Sequence, residues 1–390
     1  MCNIVNPYTP GAGVFPSYLA GRDELLDNTE KIITTMIAGY PVQPIVYYGL
    51  RGVGKTVILN ALEERFEQNL DNLYTEFLET KENGSLLKDI ISISNKFINK
   101  LSISATASHT LDQLKTFVKS IIVSYNFEGE ISVKLGDNTL SNNITIDLTD
   151  LFLNMGRIAA DNNIGICFFI DEIQFAKKAE LESLFTAIHR VIQKRLPITI
   201  IGAGLPKILK TFGDVKSYSE RMFKFVPVDT LEKQQAFDAI QKPAIDLGIT
   251  YTQDALNEIY NVTNGYPYFI QQVCKVAWDN LTGSKINKEL VVKIVPEAFK
   301  ELDLGFFKVR YDRCSKAEVS FLCSMVKCDK LPCTIANVAQ IMDKTVKQIS
   351  PIRGSLINKG IIYATQHGEI DFTVPKFSDF LKRNAPELFL

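Results

Sequence analysis

The sequence predicts an α/β fold. A doubly wound parallel sheet should carry the first half of the chain. A helical lid and a small C-terminal domain of helices with a hairpin should follow. Three observations predict this. Apolar strand-like runs alternate with helix-period segments from about 45 to 228. Strand signals then stop between Thr230 and Leu304, where helical periodicity continues alone. From about 306 onward, three short helical patterns lead into two strand-like runs around a turn. The expected divisions are an arm over 1–20, a core over 21–229, a lid over 230–305 and a last domain over 306–390.

The arm is rich in Pro and Gly (Pro7, Pro10, Gly11, Gly13, Pro16) and reads as ordered or semi-ordered. Leu25, Leu26, Thr29, Ile32, Ile33 and Met36 recur at helical spacing over 22–38. Ile45–Tyr48 reads as a strand, 55–68 as a helix and Leu73–Leu78 as a second strand. Two helical patterns occupy 84–124, and Ile131–Leu135 reads as an added strand or hairpin. Asp150 is the expected cap of a helix that stops at Asn162-Asn163. Ile164–Ile170 is nearly all apolar, as a central strand buried on both faces should be. Ala179–Gln193 follows as helix and Ile198–Ile201 as strand.

The bulk numbers describe an ordinary soluble globular composition, 46% hydrophobic and 22% charged. No run approaches the length of a membrane span, and the N-terminus lacks the pattern of a secretory leader. A cytoplasmic protein with no membrane partner is expected. Seven cysteines do not suggest a disulfide framework. Cys314, Cys323, Cys328 and Cys333 invite a zinc reading, but they lack the C-x2-C spacing of structural zinc sites. Reduced thiols are the plainer reading. The net charge is −1, unevenly spread. Residues 306–390 hold 13 Lys and Arg against 8 Asp and Glu, so that part is basic and the body acidic.

Gly49-Leu50-Arg51-Gly52-Val53-Gly54-Lys55-Thr56 fits G-x-x-x-x-G-K-T between a strand and a helix. Gly49, Gly52, Val53 and Gly54 would present backbone N–H groups to ATP phosphates, aided by the helix N-terminus. Lys55 would bridge the β- and γ-phosphates, and Thr56 would ligate Mg2+. Phe168-Phe169-Ile170-Asp171-Glu172 places two carboxylates at the end of a buried strand. Asp171 is the candidate metal residue and Glu172 the candidate base for the attacking water. Arg221 is a candidate catalytic arginine acting on a neighbouring subunit's phosphate; a structural pairing with Glu220 is the competing reading. Thr199 and Gly202 fall where a γ-phosphate sensor could follow the next strand, though no Asn stands there.

In the C-terminal part, Lys316–Met325 and Thr334–Met342 read as helices. Ser350-Pro351 reads as the start of a third helix, with Gly360 as its stop. Ile361–Thr365 and Ile370–Val374 flank Gln366-His367-Gly368-Glu369 as a hairpin. Three helices and a two-stranded wing make a winged helix. Lys344, Lys347, Gln348, Arg353 and Asn358 on or near its third helix, and His367 at the wing tip, are the candidate DNA-binding residues. Winged helices also pack on proteins, so both partners stay open.

These segments together resemble a known family. Asn6-Pro7-Tyr8-Thr9-Pro10-Gly11, the box Gly21-Arg22-Asp23-Glu24-Leu25, the glycine-rich loop, Asp171-Glu172 and Ser217-Tyr218-Ser219-Glu220-Arg221 carry the likeness. So do Asn264-Gly265-Tyr266-Pro267 and the C-terminal Lys359-Gly360-Ile361-Ile362-Tyr363. The chain is similar to bacterial and archaeal AAA+ ATPases related to the initiator (origin-recognition) and STAND groups. The resemblance implies that Arg22 lies against the adenine and that Pro267 packs near the nucleotide. It further implies an ATP hydrolase, ATP or ADP with Mg2+ as ligands, and a homo-oligomer. One feature departs from the initiator pattern: no arginine stands near Gly265-Tyr266-Pro267 in the lid. That favours a slow nucleotide switch.

Two functions follow as expectations. One is an AAA+ ATPase that uses ATP to control oligomerisation and DNA binding through its winged helix. The other is a slow, nucleotide-gated, STAND-like switch whose winged helix takes a protein partner.

Overall fold

The computed structural model describes residues 5–104, 108–124, 140–141, 143–366 and 368–389. The chain divides into two compact units. One comprises Arg22–Gly49 and Lys55–Val228; the other comprises Met1–Gly21, Leu50–Gly54 and Asp229–Leu390.

The first unit is built on five parallel strands: β1 (Ile45–Tyr48), β2 (Leu73–Glu79), β3 (Gly165–Asp171), β4 (Ile198–Gly204) and β5 (Lys224–Pro227). Their order across the sheet is β2-β3-β4-β1-β5. All seven residues of β3 are buried because helices cover both sheet faces. Adjacent side chains on β3 point to opposite faces. Phe168 meets Phe97 and Phe152, with ring centres 5.0 and 5.4 Å away, while Phe169 stacks on Phe66 at 5.9 Å.

The helices between β2 and β3, Leu86–Ser104 and Ser108–Ser124, supply core side chains such as Ile90, Phe97, Leu101 and Val118. This stretch is therefore packed sheet cover over its described residues. The strand expected at Ile131–Leu135 lies outside the described residues. The helix expected to start at Asp150 begins earlier, spanning Ile144–Asp161. Its cap is Asn143, whose side chain accepts from the Thr145 amide at 3.0 Å. Leu148 and Leu151 are both buried core residues, so the apolar stripe continues on either side of Asp150, which sits exposed on the opposite face in mid-helix.

In the second unit, four helices (Lys233–Ile245, Gln253–Thr263, Pro267–Asp279, Lys288–Leu302) enclose a core around Ile240, Ile259, Val273 and Trp278. The arm is stapled to this bundle. Tyr8 is buried, its hydroxyl donates to the Ile240 carbonyl, and its ring meets Trp278 edge-on at 6.0 Å. The expected lack of strands is corrected by two short parallel ones, β6 (Thr250–Tyr251) and β7 (Lys285–Ile286). Two residues are too few to show a period.

The C-terminal part runs helix Lys316–Val326, β8 (Cys333–Thr334), helices Ile335–Ile341 and Val346–Asn358, β9 (Ile362–Ala364), β10 (Glu369–Phe372) and helix Phe377–Asn384. The strands form an antiparallel sheet in the order β8-β10-β9. Sequence reasoning missed β8 and the last helix. It also misplaced the third helix start. Thr345 is the cap, in a reciprocal box with Gln348, and Pro351 lies inside the helix. The Ser-Pro signal was outweighed by a complete capping box five residues earlier. Among the described residues, no helix is long and apolar enough to cross a membrane.

Candidate functional site

The glycine-rich loop leaves β1 and enters helix Lys55–Asn69, as the motif required. Gly52 and Gly54 have φ of 82° and 94°, a region that a side chain disfavours. A Cβ on Gly54 would meet nothing within 4 Å, so the loop is open there. Lys55 is 8% exposed and its Nζ donates to the Gly49 carbonyl at 3.0 Å. The ammonium is thus folded back over its own loop.

Thr56 and Asp171 are 115 residues apart in sequence, yet the threonine hydroxyl donates to Asp171 Oδ2 at 2.6 Å. Burial pushes the Asp171 carboxyl up. The Thr56 hydroxyl and the Glu172 amide pull it down, Glu172's charge pushes it up again, and Lys55 lowers it. A desolvated carboxylate beside a hydroxyl suits a hard divalent cation, which takes oxygen ligands. Thr80 adds to this. Its amide donates to the Asp171 carbonyl at 3.0 Å, while its own hydroxyl is buried without a hydrogen-bond partner. An orphaned oxygen at the strand ends is a place for a bound or metal-held water. The residues present therefore fit Mg2+ and a polyphosphate. Among the described residues, no group of three or more His, Cys, Asp or Glu forms a separate metal cluster, the four C-terminal cysteines included.

Glu172 has φ 51° and ψ 35°, left-handed for a non-glycine residue. Such strain persists where the surroundings hold it. Here Gln174 does so: its amide nitrogen donates to Glu172 Oε2, and its oxygen accepts from the Leu205 amide at 3.0 Å. Sequence reasoning missed Gln174 and Thr80. The one available signal for either was position just after a strand end. Thr199 and Gly202 prove to lie inside β4, buried, with Thr199 paired to Cys167. The strand runs on to Gly204, so neither residue stands at its C-terminal edge.

Arg221 is exposed on a short helix, Ser219–Met222, and its carbonyl accepts from Gln43 Nε2 at 2.7 Å. It lines a surface cavity of about 460 Å3 with Pro41, His189, Ile192 and Tyr218. No pairing with Glu220 is seen. Arg22 is half-buried just before helix Asp23–Ile37, and Pro267 opens helix Pro267–Asp279. Among the candidate DNA residues, Lys344, Lys347, Gln348 and Asn358 are exposed. Gln348 spends its side-chain oxygen on the Thr345 amide at 2.8 Å. Arg353 is half-buried, with Nε cut off from solvent and unpartnered. His367 lies outside the described residues.

A family model described as the KAP family P-loop domain matches residues 22–220, just over half of the chain. The chain belongs to that family. A second model, a domain of unknown function (DUF8462), matches residues 304–381. No curated protein matches in sequence. Among solved structures, the KAP family chain is similar to a Walker-type ATPase of Pyrococcus abyssi. The TM-score is 0.56 at 14% identity, covering 93% of this chain and 96% of that one. It is also matched by the Cdc6p of Pyrobaculum aerophilum (TM-score 0.48, 15% identity, 97% and 96% covered). The Orc1 protein of Aeropyrum pernix, solved in complex with DNA, matches too (0.46, 13%, 95% and 94%). The expected fold, a P-loop NTPase of the AAA+ kind, is the fold of this KAP family chain.

Proposed function

We propose that this KAP family protein binds ATP with Mg2+ and hydrolyses it, and that the nucleotide state controls self-association and DNA binding. The observation that carries the nucleotide half is the Thr56–Asp171 contact behind a left-handed glycine loop. Bound Mg2+ would neutralise charge on the β- and γ-phosphates. Thr56 and Asp171 would hold it, Lys55 would turn from the Gly49 carbonyl to the phosphates, and Glu172 would accept a proton from the attacking water. Exposure of Arg221 supports a role toward a neighbouring copy's phosphate. The helix, strand, helix, helix, hairpin order of 316–372 supports a winged helix, and the exposed Lys344 and Lys347 support phosphate contacts from it. The domain divisions 1–20, 21–229, 230–305 and 306–390 belong to this reading.

Equilibrium binding of fluorescent ATP and ADP, with and without Mg2+, tests the first half. Wild type should bind and Lys55→Ala should lose most of its affinity; a wild type that ignores nucleotide ends the proposal. Salt-titrated DNA binding tests the second half. A Lys344→Ala/Lys347→Ala chain should show a shallower salt dependence, by roughly one counterion per lost contact.

A second reading is favoured by one contact. The Arg51 amide, in the glycine-rich loop, donates to the Thr373 carbonyl at the end of the C-terminal hairpin, at 3.4 Å. A C-terminal domain tied to that loop suits a slow nucleotide-gated switch with a protein partner. Fast steady-state turnover together with tight DNA binding would remove this second reading.

A further inference from the structure

The cavity of about 460 Å3 beside Arg221 lies wholly within the first unit. Three stretches wall it: the loop 41–43 leading into β1, the helix Lys178–Gln193, and the segment 218–222. These walls are held from outside the cavity. Lys216 Nζ meets Glu182 at 2.6 Å, which ties the third stretch to the helix. The Gln43 side-chain nitrogen donates to the Arg221 carbonyl at 2.7 Å, which ties it to the loop. Just past Arg221, Phe223 is buried against Phe185 and Phe212, with ring centres 4.7 and 5.0 Å away. The cavity is therefore preformed, and its volume falls in the range of roughly 300–1,000 Å3 typical of small-molecule sites.

Its lining divides by chemistry. Pro41, Ile192 and Met222 are apolar. The His189 and Tyr218 rings stack with centres 4.5 Å apart and planes 23° from parallel, giving one wall a flat aromatic surface. Arg221 supplies a cation, and among the described residues none of those lining the cavity is acidic. Glu182 is paired with Lys216, and Glu220 lies toward Gly213, where a Cβ would fall 3.5 Å from its Oε1. A flat ring packs favourably against stacked aromatic rings. A guanidinium takes a carboxylate through two parallel N–H donors. One guanidinium beside an apolar floor balances one negative charge, and a second would be desolvated without a partner.

We infer that this cavity binds a small aromatic carboxylate, its ring against His189 and Tyr218 and its carboxylate on the Arg221 guanidinium. The site needs no nucleotide, so it stands apart from the function proposed above. An occupant there holds the same arginine that is proposed to act on a neighbouring copy's phosphate.

The test is a titration of benzoate with the full chain, followed by the ligand's own NMR line widths. Wild type should bind with a Kd of about 5 mM or tighter, ordinary for so small a ligand. Benzamide, which lacks the charge, should bind about 10-fold more weakly, and cyclohexanecarboxylate, which is not flat, about 2- to 10-fold more weakly. Arg221→Met should weaken benzoate about 10-fold or more. His189→Ala should weaken it about 2- to 10-fold. Ile192→Trp keeps the arginine and both stacked rings but fills the space, so it should abolish binding. Arg190→Met removes an exposed cation outside the cavity and should change affinity by less than about 2-fold. Equal binding of benzamide and benzoate would overturn the inference, because the cavity would then be only an apolar hollow. Unchanged affinity in both Arg221→Met and Ile192→Trp would overturn it by placing the probe elsewhere. A wild type that binds no benzoate up to about 50 mM overturns it too. If that chain forms a concentration-dependent dimer that Ile192→Trp breaks, the cavity belongs to a second copy of the protein.

Discussion

The Gln174 side chain bridges Glu172 and Leu205: its nitrogen donates to the Glu172 carboxylate and its oxygen accepts from the Leu205 amide. The residue just past β3 is thereby tied to the residue just past β4. Since the two strands are hydrogen-bonded neighbours, a change at one strand end reaches the other through a single amide.

The bridge makes Gln174 a positioning residue. Gln174→Leu should leave ATP affinity within about 3-fold, because the residue touches no phosphate-binding group, and should slow turnover by about 10-fold or more. Glu172→Gln should slow it further, by the roughly 10²–10⁴-fold range of general-base loss, with affinity retained. Single-turnover hydrolysis against equilibrium binding separates the two effects. Equal loss of affinity and rate in Gln174→Leu would show that the amide acts on the loop and not on Glu172.

Thr80 tests the metal side. Replacing its unpartnered hydroxyl by an isosteric methyl removes an unsatisfied polar atom, so Thr80→Val should keep or slightly raise the ligand-free Tm. The same change should raise the Mg2+ concentration needed for half-maximal ATP binding by about 3- to 10-fold, the worth of one neutral hydrogen bond. A Mg2+ titration at fixed ATP reads it directly. A lower Tm with unchanged Mg2+ dependence would make Thr80 a packing residue.

Gly265 shows how tightly the turn before helix Pro267–Asp279 is built. Its φ is 69°, its carbonyl accepts from the Leu231 amide at 2.8 Å, and a Cβ there would fall 2.2 Å from the Leu231 carbonyl oxygen. Gly265→Ala combines a left-handed backbone with a clash against backbone that cannot rotate away. It should destabilise the second unit by about 2–4 kcal/mol, measured as a fall in the urea midpoint. A shift under about 0.5 kcal/mol would mean that the Leu231 segment relaxes freely.

Much of this was legible in the sequence, and the misses have physical causes. β1 and the apolar β3 announce themselves because sheet burial demands contiguous apolar residues. The glycine-rich loop is legible because its backbone geometry excludes side chains at Gly52 and Gly54. Helix starts were less legible: Asp150 and Ser350-Pro351 are both good caps in isolation, and Asn143 and Thr345 won through contacts over a whole turn. Gln174 and Thr80 were invisible for a different reason. Each is tied to a neighbour brought by folding, Leu205 and Asp171 respectively, and no local spacing encodes that.

Glu318 is 4% exposed, and burial alone would raise its carboxyl. Lys359 Nζ at 2.7 Å, the Ser355 hydroxyl at 2.7 Å and the Ser315 amide at 2.6 Å outweigh burial and hold it at about 2. A carboxyl whose folded value lies below its unfolded value contributes stability above the unfolded value and loses it as pH falls toward the folded one. The loss should therefore run from about pH 4.5 down to about 2. Lys359 is partly open to solvent, which screens the pair, so the contribution is about 2 kcal/mol rather than the full value of the shift. Hydrogen exchange of helix Lys316–Val326, corrected for intrinsic rates, should show protection falling through that window in wild type. Glu318→Gln cannot ionise, so it should start less protected at pH 6 and lose little more on acidification. Parallel pH profiles for the two would show that the acid sensitivity of this helix comes from another carboxylate.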